Sequence, residues 1–176
     1  MPTSNPRIIT PILEHISKNA PESVLDIGIG FGKWGALVRE YTDVVHYRFY
    51  KNEWEVLIHG IEIHEKYKNP NWDHYNQIFI DDACELMPYV NDFYELVIFT
   101  DVIEHIEKEK ALVLLKEIFK KTKTLIVSYC NDEQHDIKDN KHEDHVSKWS
   151  NADFEKFGTV KVLYKENNQA VLLITN

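Results

Sequence analysis

Cysteine is scarce: the 176 residues hold only Cys84 and Cys130. They form neither a C-x-x-C pair nor a metal-ligand spacing, which excludes a disulfide scaffold and fits a reducing, cytoplasmic setting. Long apolar runs are missing too, and none approaches the ~18 residues of a bilayer span, so no membrane segment is expected. The first stretch, MPTSNPRIITPILEHISKNAPES, is broken by Pro2, Pro6, Pro11 and Pro21 and lacks the apolar core of a signal peptide. Positive charge is the minority sign, 20 Lys and Arg against 29 Asp and Glu, a net charge of −9. A partner gripped through its phosphates needs clustered cations, so no nucleic acid is expected. Glycine is sparse as well, six in all, yet Gly28, Gly30, Gly32 and Gly35 crowd into one short stretch.

What is present points to a folded chain. Apolar residues make up 43% and aromatics 12%, which excludes intrinsic disorder. Against roughly 100–200 residues per domain, the length implies one domain over residues 1–176. No internal repeat and no Pro- or Ser/Gly-rich linker divides it.

Short apolar runs alternate with helical periodicity. Ser23–Gly28 (SVLDIG), Val56–Ile63, Gln77–Ile80, Tyr94–Thr100 and Thr124–Tyr129 read as five strands. Trp34, Leu37, Val38 and Tyr41 share one helical face, as do Ala111, Leu114, Leu115 and Ile118 in a helix over about 108–121. Ile8, Ile9, Ile12, Leu13 and Ile16 form an N-terminal helix that packs on the first layer. Ser150 with Asp153 makes a capping box for a short helix stopped by Gly158. Thr159–Lys165 and Gln169–Thr175 flank Asn167–Asn168, a pair suited to a tight hairpin turn. The implied fold class is α/β: a doubly wound, mostly parallel seven-stranded sheet with an antiparallel C-terminal hairpin strand and helices on both faces.

In such a sheet, ligands bind beyond the carboxyl ends of the strands, near the switch point. There the sequence is Asp26-Ile27-Gly28-Ile29-Gly30-Phe31-Gly32. Alternate glycines turn the backbone tightly and let a ligand approach it without a Cβ between. Gly30, Gly32 and Gly35 satisfy G-x-G-x-x-G, so an NAD site competes. In that fingerprint, however, the first glycine directly follows the strand; counted from Gly28, the third falls on Lys33.

The Asp-x-Gly-x-Gly-x-Gly pattern resembles motif I of the class I S-adenosylmethionine-dependent methyltransferases. The resemblance implies that S-adenosyl-L-methionine is the cofactor, its methionine end lying on Gly28, Gly30 and Gly32 with Asp26 near its amino group. It also implies acids at the next two strand ends. Glu62 stands where the family grips the ribose hydroxyls, and Asp82-Ala83 where an acid accepts from the adenine amine; Asp81 competes with Asp82. Asp101, Val102, Glu104 and His105 resemble the Asp-x-x-Glu-His segment of a subgroup that includes small-molecule O-methyltransferases, at the strand end beside the transferring methyl.

An acceptor hydroxyl needs a base or an acidifying metal. His105 or His145 serves as general base with Glu104 orienting it in one reading. In another, Glu104, His105 and a loop histidine ligate a divalent ion, resembling some RNA 3′-end methyltransferases, although Asp101 replaces the first glutamate of that site. In a third, His105 caps a helix and His135, His142 and His145 are solvated. No metal is assigned. Residues 131–146 carry six acids against two lysines, which suits a neutral or cationic small-molecule acceptor. The expectation is O-methylation of a small molecule or sugar; a binding protein without turnover and a protein or RNA methyltransferase are the rivals. Thr42–Glu55 is an aromatic insert, either locally packed or a substrate wall or homodimer contact. Specificity is expected from the Tyr41–Trp54 loop, the histidine-rich loop and the N-terminal helix.

Overall fold

In the computed structural model, which describes residues 4–135 and 140–176, the sheet grows outward from a buried central strand. β1 (Ser23–Ile27) buries four of its five residues and pairs in parallel with β2 (Leu57–Glu62) and β4 (Leu96–Phe99). β3 (Gln77–Ile80) extends one side and β5 (Thr124–Cys130) the other, both in parallel. The order is β3-β2-β1-β4-β5-β7-β6. The chain therefore leaves β1 in one direction and returns beside it as β4, which opens a crevice at the carboxyl ends of these two strands.

Alternate side chains feed two cores. On one face Leu25, Val97 and Phe99 meet Ala111, Leu114, Leu115 and Ile118 of α4 (Lys108–Phe119). On the other, Val24 and Ile98 meet Ile12 and Ile16 of α1 (Ile9–Asn19) and Trp34 and Val38 of α2 (Lys33–Thr42). The i, i+4 spacing of each buried pair makes one apolar stripe per helix. α3 (Ala83–Leu86) is a single turn capped by Asp82.

The C-terminal hairpin enters the sheet more fully than a single edge strand. β7 (Gln169–Thr175) lies between β5 and β6 (Thr159–Glu166), antiparallel to both, and matches β5 from Thr124↔Thr175 to Cys130↔Gln169. Asn167 turns the hairpin at φ +48°. The expected helix after Ser150 is two short 3-10 turns, Asn151–Asp153 and Glu155–Phe157. Its capping box is formed, with Ser150 N–H donating to Asp153 at 2.8 Å. A 3-10 turn over Pro6–Ile8 precedes α1, and the four residues 136–139 of the histidine-rich loop, like Pro2, lie outside the described residues.

The insert between α2 and β2 is held from below. Asp43 is fully buried and accepts hydrogen bonds from Arg39, from Arg48 Nε at 2.6 Å and from Glu55 N–H at 2.9 Å. The Arg39 guanidinium also donates to the carbonyls of Val56 and His74 and lies 4.2 Å from the Trp54 ring centre. Tyr47, Phe49 and Tyr50 stay exposed on the outer side of the insert.

Candidate functional site

The residues after β1 make a turn that only glycine suits at its start. Gly28 has φ +77°, and a Cβ on it would stand 2.2 Å from Val102 Cγ2. The absence of that Cβ lets the segment after β4 close against the turn. Main-chain donors then lock it: Gly28 and Ile29 N–H reach the Ile61 carbonyl, and Gly32 N–H reaches Ile29. Gly30 N–H donates to Glu62 Oε2 at 2.8 Å, while Glu62 Oε1 accepts from His64 N–H at 2.8 Å. Burial pushes the Glu62 carboxyl above its ordinary value, opposed by those two N–H donors. Trp34 Nε1 donates to Thr100 Oγ1 at 2.7 Å, tying α2 to the end of β4.

A cavity of about 300 Å³ opens over this turn. That is the lower end of the ~300–1,000 Å³ found for small-molecule sites. Of the residues singled out in the sequence, Gly28, Gly30, Glu62, Asp82, Ala83, Asp101, Val102 and His105 line it together. Asp81 lines it beside Asp82, and the Asp82 N–H donates to Asp81 Oδ1 at 2.8 Å. Asp82 Oδ1 caps α3 through Cys84 N–H at 2.8 Å. Asp101 is held at φ +52° with its side chain accepting from Ser128 Oγ.

Asp26, Gly32, Glu104 and His145 do not line the described cavity. Asp26 is buried under the turn and accepts from the Tyr75 hydroxyl at 2.6 Å; that hydroxyl in turn accepts from Gly35 N–H at 2.9 Å. Burial raises the Asp26 carboxyl to about 7. Gly32 caps α2 at φ +78°. The Glu104 carboxyl, pushed well up by burial, accepts from Cys130 N–H, while its main-chain carbonyl receives Val146 and Ser147 N–H.

His105 is the imidazole that reaches the cavity from the end of β4. Its Nδ1 is 3.0 Å from the Asp144 carbonyl. A carbonyl only accepts, so Nδ1 carries the proton and Nε2 the lone pair. Burial lowers its pKa below the usual 6.5. His145 packs edge-on with ring centres 4.8 Å apart, and its own Nδ1 donates to the Asp132 carbonyl. Among the described residues, no group of three His, Cys, Asp or Glu side chains is placed to hold a metal ion. Cys84 reaches the cavity, but burial pushes its thiol up to about 12, which leaves it a poor nucleophile.

Several wall residues carry no motif. Phe31 stacks on Tyr67 at 5.5 Å, and the Tyr67 hydroxyl donates to Glu143 at 2.6 Å, so the end of the histidine-rich loop is tied to the segment after β2. Tyr67 stands far from the glycine pattern in sequence, while Phe31 fills one of its variable positions and Lys33 directly follows its last glycine. The Tyr41–Trp54 insert is absent from the described cavity wall, whereas Ser4, Asn140 and His142 belong to it. The buried Asp43 cluster turns the insert outward, away from the wall to which the N-terminal segment and the loop contribute.

The fold recurs in solved structures. An O-methyltransferase family protein from Burkholderia thailandensis aligns with a TM-score of 0.65 and 10% identity, covering 96% of this chain and 56% of that one. The chain thus spans little more than half of that protein's length. Magnesium protoporphyrin IX methyltransferase from Synechocystis, with S-adenosylmethionine bound, aligns at 0.64 and 15% identity over 97% of this chain and 79% of its own. The fold is that of the class I methyltransferases. The methyltransferase domain of bacterial CtHen1 has the same fold, with a TM-score of 0.62, 17% identity and 96% of each chain covered. No protein-family model matches the chain, and no curated protein matches it in sequence. Among the described residues no helix is long and apolar enough to cross a membrane.

Proposed function

We propose that the chain is an S-adenosylmethionine-dependent methyltransferase acting on a small molecule, at an oxygen atom. The observation that carries this reading is the convergence on one cavity of the glycine turn, Glu62 and Asp82 from three successive strand ends. The donor set fits the cofactor. Glu62 can accept from a ribose diol, since each carboxylate oxygen retains a lone pair beyond the N–H it accepts, from Gly30 at Oε2 and from His64 at Oε1. Asp82, with Ala83 beside it, can accept from the adenine amine, and Gly28 and Gly30 leave the main chain bare of Cβ at the methionine end. The cofactor supplies an electrophilic methyl group on a sulfonium centre.

The remaining work falls to the chain. His105 takes the proton from the acceptor hydroxyl at Nε2. Its resting form is the base form, because burial holds the ring neutral at neutral pH. Glu104 positions it by fastening the segment after β4 to the end of β5 and to residues 146–147. His145 braces the imidazole from behind. Phe31 and Tyr67 shape the mouth for a compact acceptor.

The test is transfer of a labelled methyl group from S-adenosylmethionine into a metabolite extract, with His105→Ala alongside. Label in a small product, lost in the variant, supports the reading. Cofactor binding without any transfer would leave a binding protein and remove the enzyme.

A further inference from the structure

The cavity wall is acidic, with one buried exception. Glu62, Asp81, Asp82, Asp101 and Glu107 all face it. Lys33, the first residue of α2 and the one directly after the third glycine, lines it as well. Among the described residues its buried Nζ has no hydrogen-bond partner, and it stands 5.1 Å from the Trp34 ring centre. Burial lowers its pKa, with Asp101 and Asp26 opposing. Neither carboxylate closes on it: Asp26 Oδ2 accepts from Tyr75, and Asp101 Oδ1 accepts from Ser128 and Gln169. An ammonium removed from water without a partner is costly, and its cost is recovered when an anion arrives.

The ligand of the proposed function has three charged groups: a sulfonium, an ammonium and a carboxylate. Acidic walls suit the first two. For the carboxylate the glycine turn has little left, because the N–H groups of Gly28, Ile29, Gly30 and Gly32 are already engaged within the protein. Lys110, the other lysine on the wall, is an exposed side chain of α4 near Cys84, beyond the end of β3. We propose that the Lys33 ammonium receives the cofactor's carboxylate and makes the cavity select the intact amino-acid cofactor over its decarboxylated form. The inference rests on the proposed function and adds a specificity-determining residue to it.

Calorimetric titration with S-adenosylmethionine and with decarboxylated S-adenosylmethionine tests it. The wild-type chain should prefer the intact form by roughly 10- to 100-fold, the strength of a charge-assisted hydrogen bond. Lys33→Met should lose that preference while binding the decarboxylated form undiminished, which also shows that the variant is folded. Lys33→Arg should keep it. A preference surviving in Lys33→Met, or a parallel loss of both affinities, overturns the inference, as does a wild-type chain that binds both forms equally. A wild-type chain that binds neither overturns the cofactor reading itself and the inference with it.

Discussion

The two walls of the cavity are built differently. On the side formed by β1, β2 and β3, the polar side chains also hold the backbone: Glu62 fastens Gly30 and His64, and Asp82 caps α3. In the proposed function, ligand groups there meet the same side chains that fix the turn. On the side after β4 and β5, His105 and His145 are each oriented by one main-chain carbonyl, Asp144 and Asp132. Those carbonyls belong to the histidine-rich loop. In the proposed function, binding falls to the wall whose side chains hold the turn, and proton transfer to the wall whose imidazoles are oriented by the Asp144 and Asp132 carbonyls.

Breaking each wall separately sharpens the contrast. His105→Ala should lower kcat by roughly 10²–10⁴-fold, the usual share of a general base, with cofactor affinity unchanged in a titration. In the wild type, kcat/KM should fall on the acid side below pH 6.5, because the depressed imidazole loses its base form only as pH drops through its pKa. Glu62→Ala should instead cost binding, about 100-fold or more if two charge-assisted bonds to a ribose are lost at ~1.5–3 kcal/mol each. Equal affinity in that variant would detach β2 from the site.

Smaller effects probe the frame. Gly28→Ala combines a left-handed φ with a clash on Val102, and should lower stability by about 2–5 kcal/mol, a fall in Tm of roughly 5–15 °C in a thermal melt. Asp26 holds its proton more tightly folded than unfolded, about 7 against 3.8. Its contribution is therefore present below 3.8 and lost as pH rises through about 7. Asp26→Asn should flatten that part of the stability profile in urea titrations at pH 5.5 and 8. Ser150→Ala, which removes one capping oxygen, should cost about 1 kcal/mol.

The parallel strands were legible because each is a short apolar run next to a helical stripe. The hairpin's depth was not, since pairing β7 rather than β6 with β5 depends on burial: β7 buries Ala170, Val171, Leu172 and Ile174, whereas β6 remains largely exposed or half-buried. Within the site, Glu62 and Asp82 were legible as acids ending strands. Asp26 was legible as a motif position, but its bond to Tyr75, 49 residues away, follows only from the packing of the segment before β3 against α2. Lys33 carried no signal beyond following the third glycine. The outward turn of the Thr42–Glu55 insert is a product of the cluster that joins buried Asp43 and Arg39 to half-buried Arg48, all ordinary surface residue types in sequence.

The proposed function stands on S-adenosylmethionine as the ligand of this cavity. Titration calorimetry of the wild-type chain with S-adenosylhomocysteine and, separately, with NAD tests it most directly. Saturable one-to-one binding of S-adenosylhomocysteine and none of NAD is the expected result; binding of NAD alone would overturn the proposed function.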